Sequence, residues 1–207
     1  MGGSPPSPAQ VHRRRNKVLW LAVLPLAALL VCVAPLAEEN SLIEETIEYV
    51  GLGLIIAAIF GRTWCTLYIG GRKKSEIVDS GPYSFSRNPL YVFSVLGALG
   101  IGMSSGSATL GVEFAVFAFA VFARAVSGEE PFLAEQHGEV YDLYKQRTPR
   151  WLSLGTTRRD AETLEVRPHL VLNTFRDACF MLLAVPLFEI LGALHASGHL
   201  PTLLRLP

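Results

Sequence analysis

The chain has 207 residues; half are hydrophobic, only 17% are charged, and the formal net charge is zero. A soluble domain is nearer a quarter charged, so the composition points to a membrane protein, and the neutral balance speaks against a nucleic-acid partner. The three cysteines, Cys32, Cys65 and Cys179, lie far apart in apolar segments, which supports neither a zinc site nor a disulfide framework.

Residues 1–17 read as a disordered tail, rich in Gly, Ser and Pro, that ends on Arg13, Arg14, Arg15 and Lys17. Residues 18–37 are 20 residues without a charge, enough to cross about 30 Å of hydrocarbon as a helix. That run is longer than a signal-peptide core, and Pro35 replaces the small residue such a cleavage site needs. Glu38, Glu39, Glu44, Glu45 and Glu48 read as an acidic connection. Residues 49–71 are the second span, interrupted only by Arg62. That cation either snorkels to the interface or lines a polar cavity. Residues 18–71 thus read as two transmembrane helices.

A core over 72–152 follows. Arg72, Lys73 and Lys74 lead to the stretch 81–91, Gly-Pro-Tyr-Ser-Phe-Ser-Arg-Asn-Pro-Leu-Tyr. Gly81-Pro82 predicts a turn, and Asn88-Pro89 a helix start with Asn as N-cap and Pro in first position. Residues 89–105 are the third span and 108–126 the fourth. The short uncharged turn between them makes a tight helical hairpin. Ser127-Gly128-Glu129-Glu130-Pro131 opens the next element. There Phe132, Leu133, Val140, Tyr141 and Tyr144 share one helical face with His137 among them, and Glu135, Glu139, Asp142, Lys145 and Gln146 the other. This predicts an amphipathic helix along the membrane interface, ended by Thr148-Pro149-Arg150-Trp151-Leu152.

Residues 153–207 are a basic loop and a C-terminal apolar helix. Its stretch 170–195 carries Arg176, Asp177, Pro186 and Glu189, so it is the weakest span and either crosses or lies re-entrant or interfacial. His195 and His199, four apart with no carboxylate partner, read as a solvated helix end. The fold class is all-α: a polytopic transmembrane protein of four to five spans plus the amphipathic helix. Lys and Arg cluster before the first span and in the loops after the second and fourth, which places the N-terminus and both basic loops in the cytoplasm.

The hairpin brings two polar clusters to one depth: Tyr83, Arg87, Asn88 and Tyr91, and Arg124, Glu129 and Glu130. Each also has a plainer use. The tyrosines suit interface anchors, and carboxylates near a helix start complement its dipole.

These residues resemble a known family. Gly81-Pro82-Tyr83, then Arg87-Asn88-Pro89-Leu90-Tyr91, is similar to the first signature of isoprenylcysteine carboxyl methyltransferases and related phospholipid methyltransferases. Glu129-Glu130-Pro131-Phe132-Leu133, then Gly138, Tyr141, Tyr144 and Pro149-Arg150-Trp151-Leu152, is similar to the second. The resemblance implies an integral membrane enzyme that uses S-adenosylmethionine, with its pocket facing the cytoplasm and an amphiphilic acceptor entering from the lipid. It carries cofactor contacts to Glu76, Ile77, Val78, Tyr83, Asn88, Pro89, Leu90 and Tyr91, and to Glu129 with its neighbour Glu130. It implies isoprenylcysteine-type carboxyl methylation first and phospholipid N-methylation as an alternative. Arg87 or Arg124 would hold an anionic acceptor and are the catalytic candidates; no metal is called for. The chain departs from the pattern at Asn88, where the family has His, at His137 in place of Phe, and at Ser153 in place of the last Pro. Asn can donate and accept hydrogen bonds but carries no proton near neutral pH.

Two other classes compete. A membrane reductase of the sterol type has a similar Arg-x-Pro-x-Tyr motif and would need cations for the extra phosphate of NADPH, for which Arg72, Lys73 and Lys74 are candidates. A non-catalytic protein that keeps the fold is the other, supported by Asn88.

Overall fold

The computed structural model describes residues 33–35, 41–72, 76–152, 159–200 and 204–206. The tail 1–17, Lys73, Lys74, Ser153 and the expected first span apart from 33–35 lie outside the described residues. Those three, β1 (Val33–Pro35), are extended rather than helical and pair in parallel with β2 (Leu204–Leu206). Everything else regular among the described residues is helical.

Helix α1 (Leu42–Ile69) starts earlier than its hydropathy suggests. Ser41 caps it by accepting from the Glu44 backbone N–H at 3.2 Å. Glu44 and Glu45 fill its first turn, where they complement the dipole. Glu44, Glu45 and Glu48 are therefore helical and not part of a connection. Helix α2 (Pro89–Met103) runs back along α1, and α3 (Ala108–His137) returns beside α2 after a turn at Ser104–Ser107. Glycines set the α1–α2 distance. A Cβ on Gly100 would meet the Gly51 carbonyl oxygen at 2.6 Å, and one on Gly51 would meet the Gly100 carbonyl oxygen at 2.9 Å. Arg62 is half-buried in this interface and donates to the Ser94 hydroxyl, so it ties α1 to α2.

The expected break at 127–131 is absent. Helix α3 continues through Pro131, whose missing N–H leaves one rung unmade, and Ser127 bonds back to the Ala123 carbonyl. The chain turns instead at Gly138, whose φ of +53° only glycine adopts without strain. The expected amphipathic helix is thus split: its first half belongs to α3 and its second half is α4 (Glu139–Arg147). Helix α5 (Pro168–Cys179), a 3₁₀ turn (Phe180–Leu183) and α6 (Ala184–Ala196) form one 29-residue rod. It docks on α1 with Ala178 against Ile55 and Ile59, and with Thr66 donating to Thr174 at 3.1 Å.

Three of these rods, Leu42–Ile69, Ala108–His137 and Pro168–Ala196, are long and apolar enough to cross a membrane. Helix α2 is apolar but only 15 residues, roughly 22 Å. The weak C-terminal stretch is therefore one of the three long candidates. Large apolar side chains such as Phe60, Phe117, Phe180 and Ile190 face outward, as lipid contact requires.

Replacing Gly100 with Leu should force α1 and α2 apart and destabilise the protein by roughly 1–3 kcal/mol. Gly53→Leu, where an added Cβ meets nothing within 4 Å, should leave thermal unfolding in detergent nearly unchanged.

Candidate active site

The stretch 76–91 lies beside the end of α1 and the start of α2. Gly81 begins a short 3₁₀ helix (Gly81–Ser84) with φ +57°, and its φ matters because the Tyr68 ring sits where a Cβ would point. The turn buries Tyr83 against Cys65 and Tyr68. The Tyr68 hydroxyl donates to Asp160 at 2.6 Å, and Gly81 N–H to the Arg159 carbonyl at 2.8 Å. The segment after α4 thus braces the loop from outside.

A cleft of about 710 Å³, counting its open mouth, lies between this loop, the start of α2, the last turns of α3 and α4. Its walls include Glu76, Ile77, Val78, Tyr83, Arg87, Asn88, Leu90, Tyr91, Glu129 and Glu130. Pro89 is fully buried and does not line it. Arg124 does not join it either. It stands exposed on α3, two residues and some 200° round the helix from buried Val126, whereas Glu129 and Glu130 follow Val126 by three and four. Ile69, Leu133, Tyr141 and Tyr144 complete the walls and were not foreseen as such. Leu133, Tyr141 and Tyr144 were marked by the second signature and by the apolar face of the amphipathic helix, and Ile69 only as part of the second span; none of these signals gave a hint of a cavity wall.

The two polar clusters meet across the cleft. The Tyr91 hydroxyl donates to Glu129 Oε1 at 3.1 Å, and the Tyr91 ring stacks on Phe122 at 4.9 Å. Arg87 Nη1 lies 3.0 Å from Glu130 Oε1, with both side chains about seven-eighths buried. Arg150 reaches the same carboxylate through both Nε, at 3.0 Å, and Nη2. Arg87 Nε is buried and makes no hydrogen bond among the described residues.

Asn88 holds the N-cap position of α2 but makes no side-chain cap bond. Its amide Nδ2 instead donates to the Arg150 carbonyl at 3.1 Å, and the Arg87 N–H donates to the Pro149 carbonyl at 2.9 Å. The expected capping role is therefore replaced by a tie between the two signature segments. A hydrogen-bonding side chain is what that tie needs, and Asn supplies it without titrating.

Tyr144 donates to the Tyr83 carbonyl at 2.9 Å. Burial pushes the Tyr144 and Tyr83 hydroxyls well above the ordinary tyrosine range. Burial, then the Glu130 charge, raises Tyr141, while Arg87 opposes that shift. The rings therefore act as neutral donors and flat walls.

Residues 46–140 match the phospholipid methyltransferase family model. The Protein-S-isoprenylcysteine O-methyltransferase of Schizosaccharomyces pombe is 26% identical over 95 residues, 45% of this chain and 40% of that protein. These two matches support the superfamily of membrane methyltransferases for this chain. Two other relatives carry different names. The Nickel-cobalt-cadmium resistance protein NccN of Alcaligenes xylosoxydans xylosoxydans is 31% identical over 204 residues, 98% of this chain and 95% of that protein. The Cobalt-zinc-cadmium resistance protein CzcN of Cupriavidus metallidurans is 32% identical over 155 residues, 75% of this chain and 71% of that protein. No solved structure matches. The superfamily match ends just before Tyr141, so the last walls of the cleft lie outside it.

Tyr144→Phe should cost about 1–3 kcal/mol, because it leaves the Tyr83 carbonyl without its partner. Hydroxyls whose pKa is raised by folding contribute stability that is complete below the unfolded value of about 10 and lost as pH rises further. Thermal unfolding of the wild type should therefore weaken above pH 10, and Tyr144→Phe should flatten that decline.

Proposed function

We propose that the cleft binds S-adenosylmethionine and that the protein transfers its methyl group to an amphiphilic acceptor drawn from the bilayer. The observation that carries this reading is the meeting of Tyr91 and Glu129 across one cleft with the Arg87–Glu130 pair beside them. The cleft's residues fit the group. Tyr83, Tyr91 and Tyr141 offer flat faces for a purine or a sulfonium. Glu129 offers oxygens for an ammonium or ribose hydroxyls, and the buried Arg87 Nε offers a donor for a carboxylate.

When bound, the cofactor supplies a methyl group activated on a positively charged sulfur. The chain's own part is orientation and exclusion of water. Tyr91 holds Glu129 in one position by donating to it. Leu90, Leu133, Ile77 and Val78 give the walls an apolar lining that keeps the field of the carboxylates strong.

The charge of the lining separates the acceptors. Three carboxylates line the cleft: Glu76 pairs with Arg72, Glu130 with Arg87 and Arg150, and Glu129 accepts from Tyr91. Arg87 is paired with Glu130, and Arg124 is elsewhere. An isoprenylcysteine-type carboxylate would enter beside Glu129, whose charge opposes it. A lipid amine gains from the same field, so N-methylation is the favoured acceptor chemistry. A nicotinamide dinucleotide with its several phosphates is disfavoured for the same reason, so the reductase reading loses ground. The names of the two resistance proteins suggest a setting of metal stress. We place this chain's contribution there in methylating a membrane component. Among the described residues no three His, Cys, Asp or Glu side chains are grouped to hold a metal ion.

Purified protein titrated with S-adenosylmethionine, S-adenosylhomocysteine and NADPH should bind the first two and not the third. Glu129→Ala should weaken S-adenosylmethionine at least tenfold while the protein stays folded, since a charged contact is worth about 1.5–3 kcal/mol. Radiolabelled methyl should pass to phosphatidylethanolamine vesicles in preference to a farnesylcysteine probe; the reverse preference would restore the carboxylate acceptor.

A further inference from the structure

We infer that Arg150 is a positioning residue for the cleft, acting on Arg87 through Glu130; this rests on the cofactor reading of the same cleft. Arg150 does not line the cleft. Its guanidinium nevertheless grips Glu130 with two donors, and Glu130 is the carboxylate that Arg87 faces inside. A carboxylate held by a bidentate fork has one orientation, whereas one facing a single guanidinium can rotate. Fixing Glu130 fixes the position of the charge that Arg87 faces, and Arg87 Nε and Nη1 are both buried and make no hydrogen bond among the described residues.

The segment that delivers Arg150 is itself fastened to the cleft wall. Asn88 Nδ2 donates to the Arg150 carbonyl, the Arg87 N–H donates to the Pro149 carbonyl, and Thr148 is buried. Trp151 packs on Phe119 with ring centroids 4.9 Å apart. Arg87 is thereby held twice by one short segment: by its backbone at Pro149 and by its side chain through Arg150 and Glu130. This arrangement also gives Asn88 a purpose that needs no titrating ring.

The alternative is that Arg150 only stabilises the fold. A double-mutant cycle separates the two, because residues acting through one another are not additive. Binding of S-adenosylhomocysteine would be measured by calorimetry on the full chain in detergent for wild type, Arg150→Ala, Glu130→Gln and the double variant. Each single variant should weaken binding about tenfold, and the double by about the same tenfold rather than a hundredfold. Arg150→Lys should restore little, since an ammonium cannot reproduce the fork. Phe119→Ala loosens the same segment without touching Glu130 and should change binding less than about twofold. Additive losses, an unchanged Arg150→Ala, or an equal loss in Phe119→Ala would overturn the assignment. Absence of binding by the wild type would overturn the cofactor reading and this inference with it; binding by the wild type with additive losses would overturn this inference alone.

Discussion

Glu130 is the point at which separate parts of the chain are joined. It sits near the end of a long apolar helix, faces Arg87 from the loop before α2 and accepts Arg150 from the segment after α4. Burying a carboxylate and a guanidinium is costly unless each finds its partner, and losing one partner of such a pair typically costs about 3–5 kcal/mol. The cost explains why the pairing specifies geometry so strongly. The arrangement that brings α2, α3 and the segment after α4 together puts two guanidiniums on this one carboxylate. The cleft is what remains between these elements once that condition is met.

The apolar scaffold makes the condition attainable. Helices α1 and α2 touch at glycines, which lets their backbones approach and fixes their relative height. Arg62 bonds Ser94 across the same contact, and Thr66 bonds Thr174 on the other side of α1. These polar ties within an apolar body hold the end of α1 beneath the cleft. Tyr68 and Tyr83 can then pack there, and Asp160 can brace them from the outer segment.

The proposed chemistry rests on the contrast between an apolar body and a cleft lined by carboxylates and aromatic rings. A positively charged methyl donor suits acidic walls faced with aromatic rings.

Much of this was legible in the chain alone. Runs of uncharged residues marked the helical rods, because hydrocarbon tolerates little else. The two signature stretches named Tyr91, Glu129, Arg87 and Glu130 as members of two clusters at one depth, but not which of them pair. Other features were decided by the tertiary structure. Hydropathy could not show that α3 runs through Pro131 and stops at Gly138, since the break depends on a positive φ and not on polarity. Asn88 looked like a cap because caps are local, yet its amide is taken by a carbonyl 62 residues away. Arg124 looked central because it is close in sequence to Glu129, but helical phase turns it outward. Tyr141 and Tyr144 looked like interface residues because period alone cannot tell a lipid-facing stripe from a cavity wall. Sequence determined which residues had to leave water and which charges had to be paired. Only the packed helices decided the pairings, since partners distant along the chain are selected by shape and not by spacing.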